Sequence, residues 1–174
     1  MIHATFDVSS TFDVEVIDVG KVSVLGGPQY KVCVYIDETP KYLFRIYLYD
    51  ESDSFHEIKC SDRSVVVGCG QKVHVFDIYN KAVKSIKLKG YFGHLYSTDD
   101  LESHIFSESV LVASAMDIVC VSQVGEVLWQ SPCLAVDGVV VSDIESGIVT
   151  GSGDYDPPDG WEDFRLDLKS GTII

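Results

Sequence analysis

The stretch of sequence best suited to chemistry is the segment 154–161, Asp-Tyr-Asp-Pro-Pro-Asp-Gly-Trp, which carries three carboxylates beside a tyrosine and a tryptophan. Its two consecutive prolines fix φ and remove two backbone donors, so the segment should be stiff and extended. A stiff loop loses little entropy on binding, and Tyr and Trp dominate binding energy at many interfaces. The segment therefore predicts a preorganised acidic and aromatic surface for a basic partner. The alternative is a structural turn with Trp161 packed in the core.

Other chemistries are poorly supported by the residue spacing. The three aspartates are oxygen donors of the kind calcium prefers, but the prolines displace the third acid and no Glu occupies position 12 of an EF-hand loop. The histidines form neither an HxH nor an HExxH pattern, so no zinc site is predicted. Neither Gly68-Cys69-Gly70 nor Gly151-Ser152-Gly153 has the lysine and helix of a phosphate-binding loop. There is no G-x-S-x-G elbow, and a Cys–His pair that meets only in space stays open. We expect no enzyme, no cofactor and no metal site.

Cysteine usage and the N-terminus favour a cytoplasmic protein. The cysteines are odd in number and none lies in a CxxC pair, which is typical of reduced, buried thiols rather than a disulfide framework. The N-terminal MIHATFDVSS lacks the basic and apolar regions of a signal peptide. No apolar run approaches the roughly 18 residues that span a bilayer, so no membrane is expected. The cysteines are Cys33, Cys60, Cys69, Cys120 and Cys133.

The negative charge is concentrated in one part of the chain. The net charge is −14, and residues 98–174 contain 15 acidic residues but only two basic ones, Arg165 and Lys169. Direct nucleic-acid binding is disfavoured, because phosphate binding needs clustered Lys and Arg. An acidic surface instead attracts basic proteins and accelerates their association, although acidic character also serves general solubility.

The elements that must position these residues are strands. At 174 residues the chain is long enough for one domain with a sizeable core. Helical spacing is almost absent, and the best candidate, residues 98–107, makes at most one or two turns. Alternating apolar and polar residues at 12–25, 30–37 and 41–50, separated by short turns, predict a three-stranded antiparallel meander.

From about residue 55 the strand pattern becomes a repeat. Each repeat has an apolar triplet, a small-residue turn, a strand that ends in a polar turn, and a final apolar strand. The triplets start at Val65, Val110 and about Gly147, roughly 45 and 37 residues apart. A period near 40–45 with several short strands per unit is typical of a propeller blade. We predict a single all-β domain over 1–174, with a meander at 1–54 and three propeller-like repeats at 55–174 in a small or open array.

Two resemblances sharpen this prediction. The repeats, and most closely Val127-Leu128-Trp129-Gln130-Ser131 followed by residues 135–141, resemble degenerate WD40-like or quinoprotein-like propeller blades. They lack the Gly-His and Trp-Asp pair of each WD40 blade, and three repeats are fewer than the usual four to eight. Residues 151–171 resemble the C-terminal part of small bacterial proteins similar to immunity proteins of polymorphic or contact-dependent toxin systems.

The second resemblance implies a function that fits the charge. A nuclease toxin needs a positive groove for RNA or DNA, and an acidic protein can occupy that groove or a neighbouring basic face. We therefore expect a cytoplasmic immunity protein that neutralises a cognate basic toxin, most plausibly a nuclease. The alternatives are a propeller-like scaffold for protein–protein interaction and a small-ligand or calcium-dependent module. The expected partner-binding residues are Asp154, Tyr155, Asp156, Asp159, Trp161, Glu162 and Asp163.

Overall fold

The computed structural model describes residues 1–6, 13–20, 27–48, 55–99, 106–155 and 160–174. These residues form strands and turns and no helix, and none forms a helix with the length and hydropathy of a membrane span. Residues 49–54, 100–105 and 156–159 lie outside the described part, and with them most of the candidate helix at 98–107. The strands are β1 (Ile2–Phe6), β2 (Glu15–Val19), β3 (Tyr30–Ile36), β4 (Thr39–Ile46), β5 (His56–Cys60), β6 (Ser64–Cys69), β7 (Lys72–Asp77), β8 (Ala82–Lys87), β9 (Phe92–Ser97), β10 (Ser109–Ser114), β11 (Ile118–Ser122), β12 (Val127–Gln130), β13 (Val139–Glu145), β14 (Ile148–Asp154) and β15 (Trp161–Asp167).

The chain divides into two compact units, Met1–Ser52 and Asp53–Ile174. The first unit is a four-stranded sheet in the order β1-β3-β4-β2. Its central strand β3 buries Val32, Cys33 and Val34 completely, as expected for an apolar strand with neighbours on both sides. Whether the two units form one domain, as the sequence predicts, stays a prediction.

The meander predicted for the first unit is wrong in its pairing. The segment at 12–25 contributes only β2 to the described strands, and β2 pairs parallel with β4 instead of lying beside β3. An unforeseen strand, β1, takes the antiparallel place beside β3. Asp18 and Arg45 lie opposite each other in the β2–β4 register and form a two-pronged ion pair, with both N···O distances 2.7 Å. A charged pair of this geometry helps to fix the parallel register.

The second unit consists of three blade-like sheets in chain order. Blade 1 is β5-β6-β7-β8, blade 2 is β9-β10-β11-β12, and blade 3 is β13-β14-β15. Every pairing within these blades is antiparallel. The first strands of the blades are neighbours, since β9 lies against both β5 and β13. The predicted all-β fold with propeller-like repeats is therefore confirmed.

Two apolar cores join the blades. Blades 1 and 2 enclose one core around Phe92 and Phe106, and blades 2 and 3 enclose another around Leu111, Leu134 and Phe164. The strands between the two cores are apolar on both faces, which explains the uninterrupted apolar run Val110–Ala113 of β10. Within the described part of the second unit, blade 3 contributes to the core that it shares with blade 2.

The predicted repeat frame is correct in period but begins one strand late. The apolar triplets at Val65, Val110 and Gly147 lie at the start of the second strand of each blade, and each blade has a first strand before it. The first strands of blades 1 and 2, β5 and β9, are more polar than the strands that follow them. The predicted final strand of the third repeat is reduced to a single bridge between Leu166 and Ile173. Blade 3 therefore has three strands where blades 1 and 2 have four.

Candidate binding face on blade 3

The register of blade 3 divides its side chains between two faces. Residues opposite each other on antiparallel neighbours share a face, and successive residues alternate. Val141, Gly151 and Phe164 form a row that faces the core. The next rows point away from blade 2. This outer face comprises Val140, Asp143, Glu145, Ile148, Thr150, Ser152, Asp154, Trp161, Asp163, Arg165 and Asp167.

The outer face is exposed and acidic. Asp143, Glu145 and Asp163 are exposed, and none of them forms an ion pair with a described residue. Its one basic residue is Arg165, which lies across Thr150 from Asp143 and lines a shallow depression with Asp143 and Glu145. The carboxylates outnumber this single arginine, so the face has a net negative charge, which attracts basic groups.

Asp167, at the end of β15, forms hydrogen bonds within the turn that follows the strand. Its Oδ1 accepts hydrogen bonds from the Ser170 hydroxyl at 2.7 Å and from two backbone N–H groups. The Ser170 hydrogen bond is the main cause that lowers the pKa of Asp167. Because its oxygens serve the turn, Asp167 adds charge to the outer face without being a free contact residue.

Aromatic side chains lie at the opposite end of this face from the Arg165 depression. Trp161 is 47% exposed and Tyr155 is 42% exposed. The Tyr155 hydroxyl donates to the carbonyl of Cys133 at 3.2 Å, which holds the ring against the segment between blades 2 and 3. Val136 on that segment is also exposed. Exposed large rings beside an acidic face are unusual for a solvated surface and typical of an interface.

Asp154 lies next to Trp161 on the outer face. It is opposite Trp161 in the β14–β15 register, and its N–H donates to Gly138 at 2.9 Å. The indole extends across this row, because its Cη2 lies only 3.6 Å from where a Cβ on Gly138 would be. Asp154 is therefore only 5% exposed, and its Oδ1 is buried without a hydrogen-bond partner.

A second acidic residue, Asp137, is a backbone neighbour of Asp154. The backbone N–H groups of Val136 and Asp137 both donate to the Asp154 carbonyl, at 2.8 and 3.2 Å. The Asp137 carboxylate accepts a hydrogen bond from the Tyr91 hydroxyl at 2.9 Å. Burial, the Asp137 hydrogen bond, and the charges of Asp137 and Asp154 raise the pKa of Tyr91 to about 12. The tyrosine therefore stays protonated and donates to this acidic site.

A glycine in β14 permits the close approach that builds the site. A Cβ on Gly153 would lie 1.9 Å from the Leu134 carbonyl oxygen, far inside van der Waals contact. The segment carrying Leu134 and Asp137 can therefore lie against β14 only because residue 153 has no side chain. Gly151 and Gly153, considered in the sequence as part of a possible phosphate loop, both lie within this strand.

The structure locates the seven expected contact residues as follows. Trp161 and Asp163 are exposed on the outer face, and Tyr155 is exposed just after β14. Trp161 is not a core residue, so the alternative of a packed structural tryptophan is wrong. Glu162 is exposed but belongs to the row of Val139 and Gly153, on the other side of the strand. Asp154 is buried, and Asp156 and Asp159 lie outside the described residues.

Sequence reasoning missed Tyr91 and Asp137. Tyr91 is 46 residues from Asp137 and lies just before β9 in blade 2, so no local pattern connects the two. In the sequence, Asp137 and Gly138 stood out only as part of a blade-like segment.

Among the described residues, no group of three or more His, Cys, Asp or Glu side chains is placed to hold a metal ion. Four cysteines are buried, whereas Cys133 is exposed.

Comparisons with known proteins give the chain no family. No family model matches the sequence, and no curated protein matches it. Among solved structures, the chain is similar to the WD40 domain of Pan2 from Neurospora crassa, with a TM-score of 0.47 and 12% identity. The match covers 83% of this chain and 45% of the other, so the chain spans less than half of that neighbour's length. The resemblance to immunity proteins has no support from these comparisons and stays a prediction.

Proposed function

We propose that this protein binds a basic protein partner through the outer face of blade 3 and the aromatic end of that face. The observation that carries the proposal is the exposure of Asp143, Glu145 and Asp163 without ion-pair partners among the described residues, next to exposed Trp161 and Tyr155. The exposed carboxylates would speed association with a basic partner, and the exposed rings would slow its dissociation.

The two kinds of residue have different roles. Exposed carboxylates steer a basic partner toward the face and raise the association rate, but each adds little to final affinity. Large rings that become buried on binding slow dissociation, and Trp and Tyr are enriched among such anchors. The face is carried by a sheet backed by Phe164 and Leu166 in the core, so binding orders little backbone.

In its specific form, the proposal is that the partner is a basic toxin, most plausibly a nuclease, and that this protein is its immunity protein. A nuclease must present positive charge to phosphate, so the outer face fits its substrate groove or a neighbouring basic surface. No catalytic group is required of the inhibitor. The support is the acidic face and the resemblance of residues 151–171, and the partner's identity is a matter for experiment.

The experiment is co-purification of the untagged protein with the product of its neighbouring gene, followed by binding measurements on variants. We expect Trp161→Ala to weaken the complex at least tenfold through faster dissociation, and Asp163→Lys to weaken it by a few-fold through slower association. Neither variant should alter the thermal midpoint. Asp62→Lys is the matched control, because it makes the same charge change at an exposed turn of blade 1. If the complex forms and all three variants bind like wild type, the outer face is not the interface.

A scaffold function is the second candidate, and one observation favours it. Val127 and Leu128 on β12, the edge strand of blade 2, are 48% and 55% exposed. An exposed apolar edge strand can accept a strand from another protein. In that case Leu128→Lys disrupts assembly, whereas Asp163→Lys has no effect, which is the reverse of the pattern expected for the outer face.

A further inference from the structure

We propose that Asp154 and Asp137 form a recognition site for an arginine side chain of the basic partner, with Trp161 and Tyr155 beside it. This inference rests on the proposed function and specifies its chemistry. It identifies one partner side chain and the two carboxylates that would bind it, in addition to the general negative charge of the outer face.

The first ground is the unsatisfied oxygen of Asp154. Buried polar atoms in native proteins nearly always have a hydrogen-bond partner, and each exception calls for an explanation. Asp154 is more than nine-tenths buried, and its Oδ1 has no donor. A buried carboxylate without a donor is costly in the free protein. A partner that brings N–H groups to this carboxylate removes that cost on binding.

The second ground is the pairing of two negative groups without a cation. The Asp137 backbone N–H donates to the Asp154 carbonyl at 3.2 Å, so the two aspartates are neighbours, and the Tyr91 hydroxyl donates to the Asp137 carboxylate at 2.9 Å. Neither aspartate forms an ion pair with a described residue. Two neighbouring acidic residues without a cation favour the binding of a positive group.

The third ground selects arginine among cations. A guanidinium offers five N–H donors in a planar fork, enough for two carboxylates at once, and it stacks on aromatic faces. Trp161 extends across Asp154, and Tyr155 follows Asp154 directly in the chain. A lysine ammonium is a compact and strongly hydrated charge, so it gains less from the rings. A metal ion requires more ligands than the described residues provide here.

The test uses the intact protein and defined probes. N-acetyl-arginine methylamide and N-acetyl-lysine methylamide are titrated into ¹⁵N-labelled protein, and the Trp161 indole N–H signal is followed. The protein has two tryptophans, and a Trp161→Phe spectrum assigns the signals. We expect a saturable shift with the arginine probe and at least several-fold weaker binding of the lysine probe. Asp154→Asn and Asp137→Asn should each weaken arginine binding at least tenfold.

Asp143→Asn is the matched control, because it removes one exposed outer-face carboxylate far from the rings. It should change arginine binding by less than twofold, and thermal melts should show that all variants are folded. Equal binding of the two probes, absence of a saturable arginine shift, or wild-type binding by Asp154→Asn would each overturn the inference.

The two proposals fail separately. If Asp154→Asn binds the neighbouring-gene product as tightly as wild type while Asp163→Lys does not, the outer face is the interface and the arginine site is wrong. If the arginine probe binds in an Asp154-dependent manner but the neighbouring-gene product does not bind, the site stands and that particular partner is wrong.

Discussion

At the scale of single residues, two buried aspartates show the difference between a structural group and a binding group. Asp117 is fully buried, and its carboxylate accepts from the Ser114 hydroxyl and the Gln130 amide, both at 2.7 Å, with Lys89 Nζ 3.2 Å away. Asp154 is also buried but has an oxygen with no donor. The first carboxylate has its partners within the fold, whereas the second lacks one.

Removing the charge of Asp154 should therefore stabilise the folded protein. We expect Asp154→Asn to raise the free energy of unfolding by about 1 kcal/mol, since an unpaired buried charge costs more than an unpaired buried amide. Urea denaturation at neutral pH measures this change, with Asp163→Asn as an exposed control that should be neutral. A loss of stability in Asp154→Asn would show that the carboxylate supports the fold.

Removing Asp117 should have the opposite effect. Asp117→Ala removes a fully buried carboxylate that accepts from the Ser114 hydroxyl and the Gln130 amide and pairs with Lys89, and the expected loss is about 3 kcal/mol. The comparison is Lys89→Ala, where the lysine is half exposed and a loss below about 1 kcal/mol is expected. Similar losses for the two variants would mean that the ion pair, rather than the hydrogen bonds, stabilises this turn.

The sequence predicted only those residues of the candidate site that lie close together in the chain. Trp161 and Tyr155 could be selected because ring and acid types stand together in one segment. The burial of Asp154 could not be foreseen, because it depends on Trp161 reaching across to Gly138. The Tyr91–Asp137 contact depends on the packing of two blades and has no signal in either segment.

At the scale of elements, a titratable pair joins the first strands of blades 1 and 2. Glu57 on β5 accepts from His94 Nδ1 at 2.6 Å and from the Leu95 N–H at 2.7 Å. The Glu57 hydrogen bond is the main cause that raises the pKa of His94, against the effect of burial. Burial disfavours the ionised form of Glu57, but the bonds from His94 and Leu95 together lower its pKa.

These shifts predict a pH dependence of stability with a definite sign. A raised folded-state pKa of His94 adds stability that is complete below its unfolded value of about 6.5 and is lost as pH rises through the folded value. We expect wild-type stability to fall more steeply than that of His94→Gln as pH rises above about 6.5. Urea midpoints across this range give the comparison, and identical slopes would contradict it.

Strand patterns predicted more of the repeats than of the first unit. In blades 1 and 2 the strands connect in chain order, so reading tight turns between apolar runs gave the right neighbours. In the first unit β2 pairs parallel with β4, and parallel pairing leaves no turn signature between the two strands. The more polar first strands of blades 1 and 2 were missed because the period was counted from the most apolar runs.

At the scale of the whole molecule, the charge distribution follows the architecture of the second unit. Among the described residues, blade 3 shares an apolar core with blade 2, and its other face carries mostly polar and charged side chains. A polar face need not be an acidic one. We propose that the excess of carboxylates over one arginine on that face favours basic protein partners.

Association with a basic partner should therefore depend strongly on salt. The Debye length falls from roughly 30 Å at about 0.01 M to roughly 8 Å at about 0.15 M salt, which screens steering between exposed charges. We expect the association rate constant, measured by stopped-flow with the co-purified partner, to fall about tenfold over this range. Asp143→Lys should flatten this dependence, whereas Asp62→Lys should not.

Trp161→Ala should instead raise the dissociation rate at every salt concentration, because salt does not screen the burial of an aromatic ring. A rate constant independent of salt would mean that the acidic face does not guide the encounter, whatever surface forms the final complex.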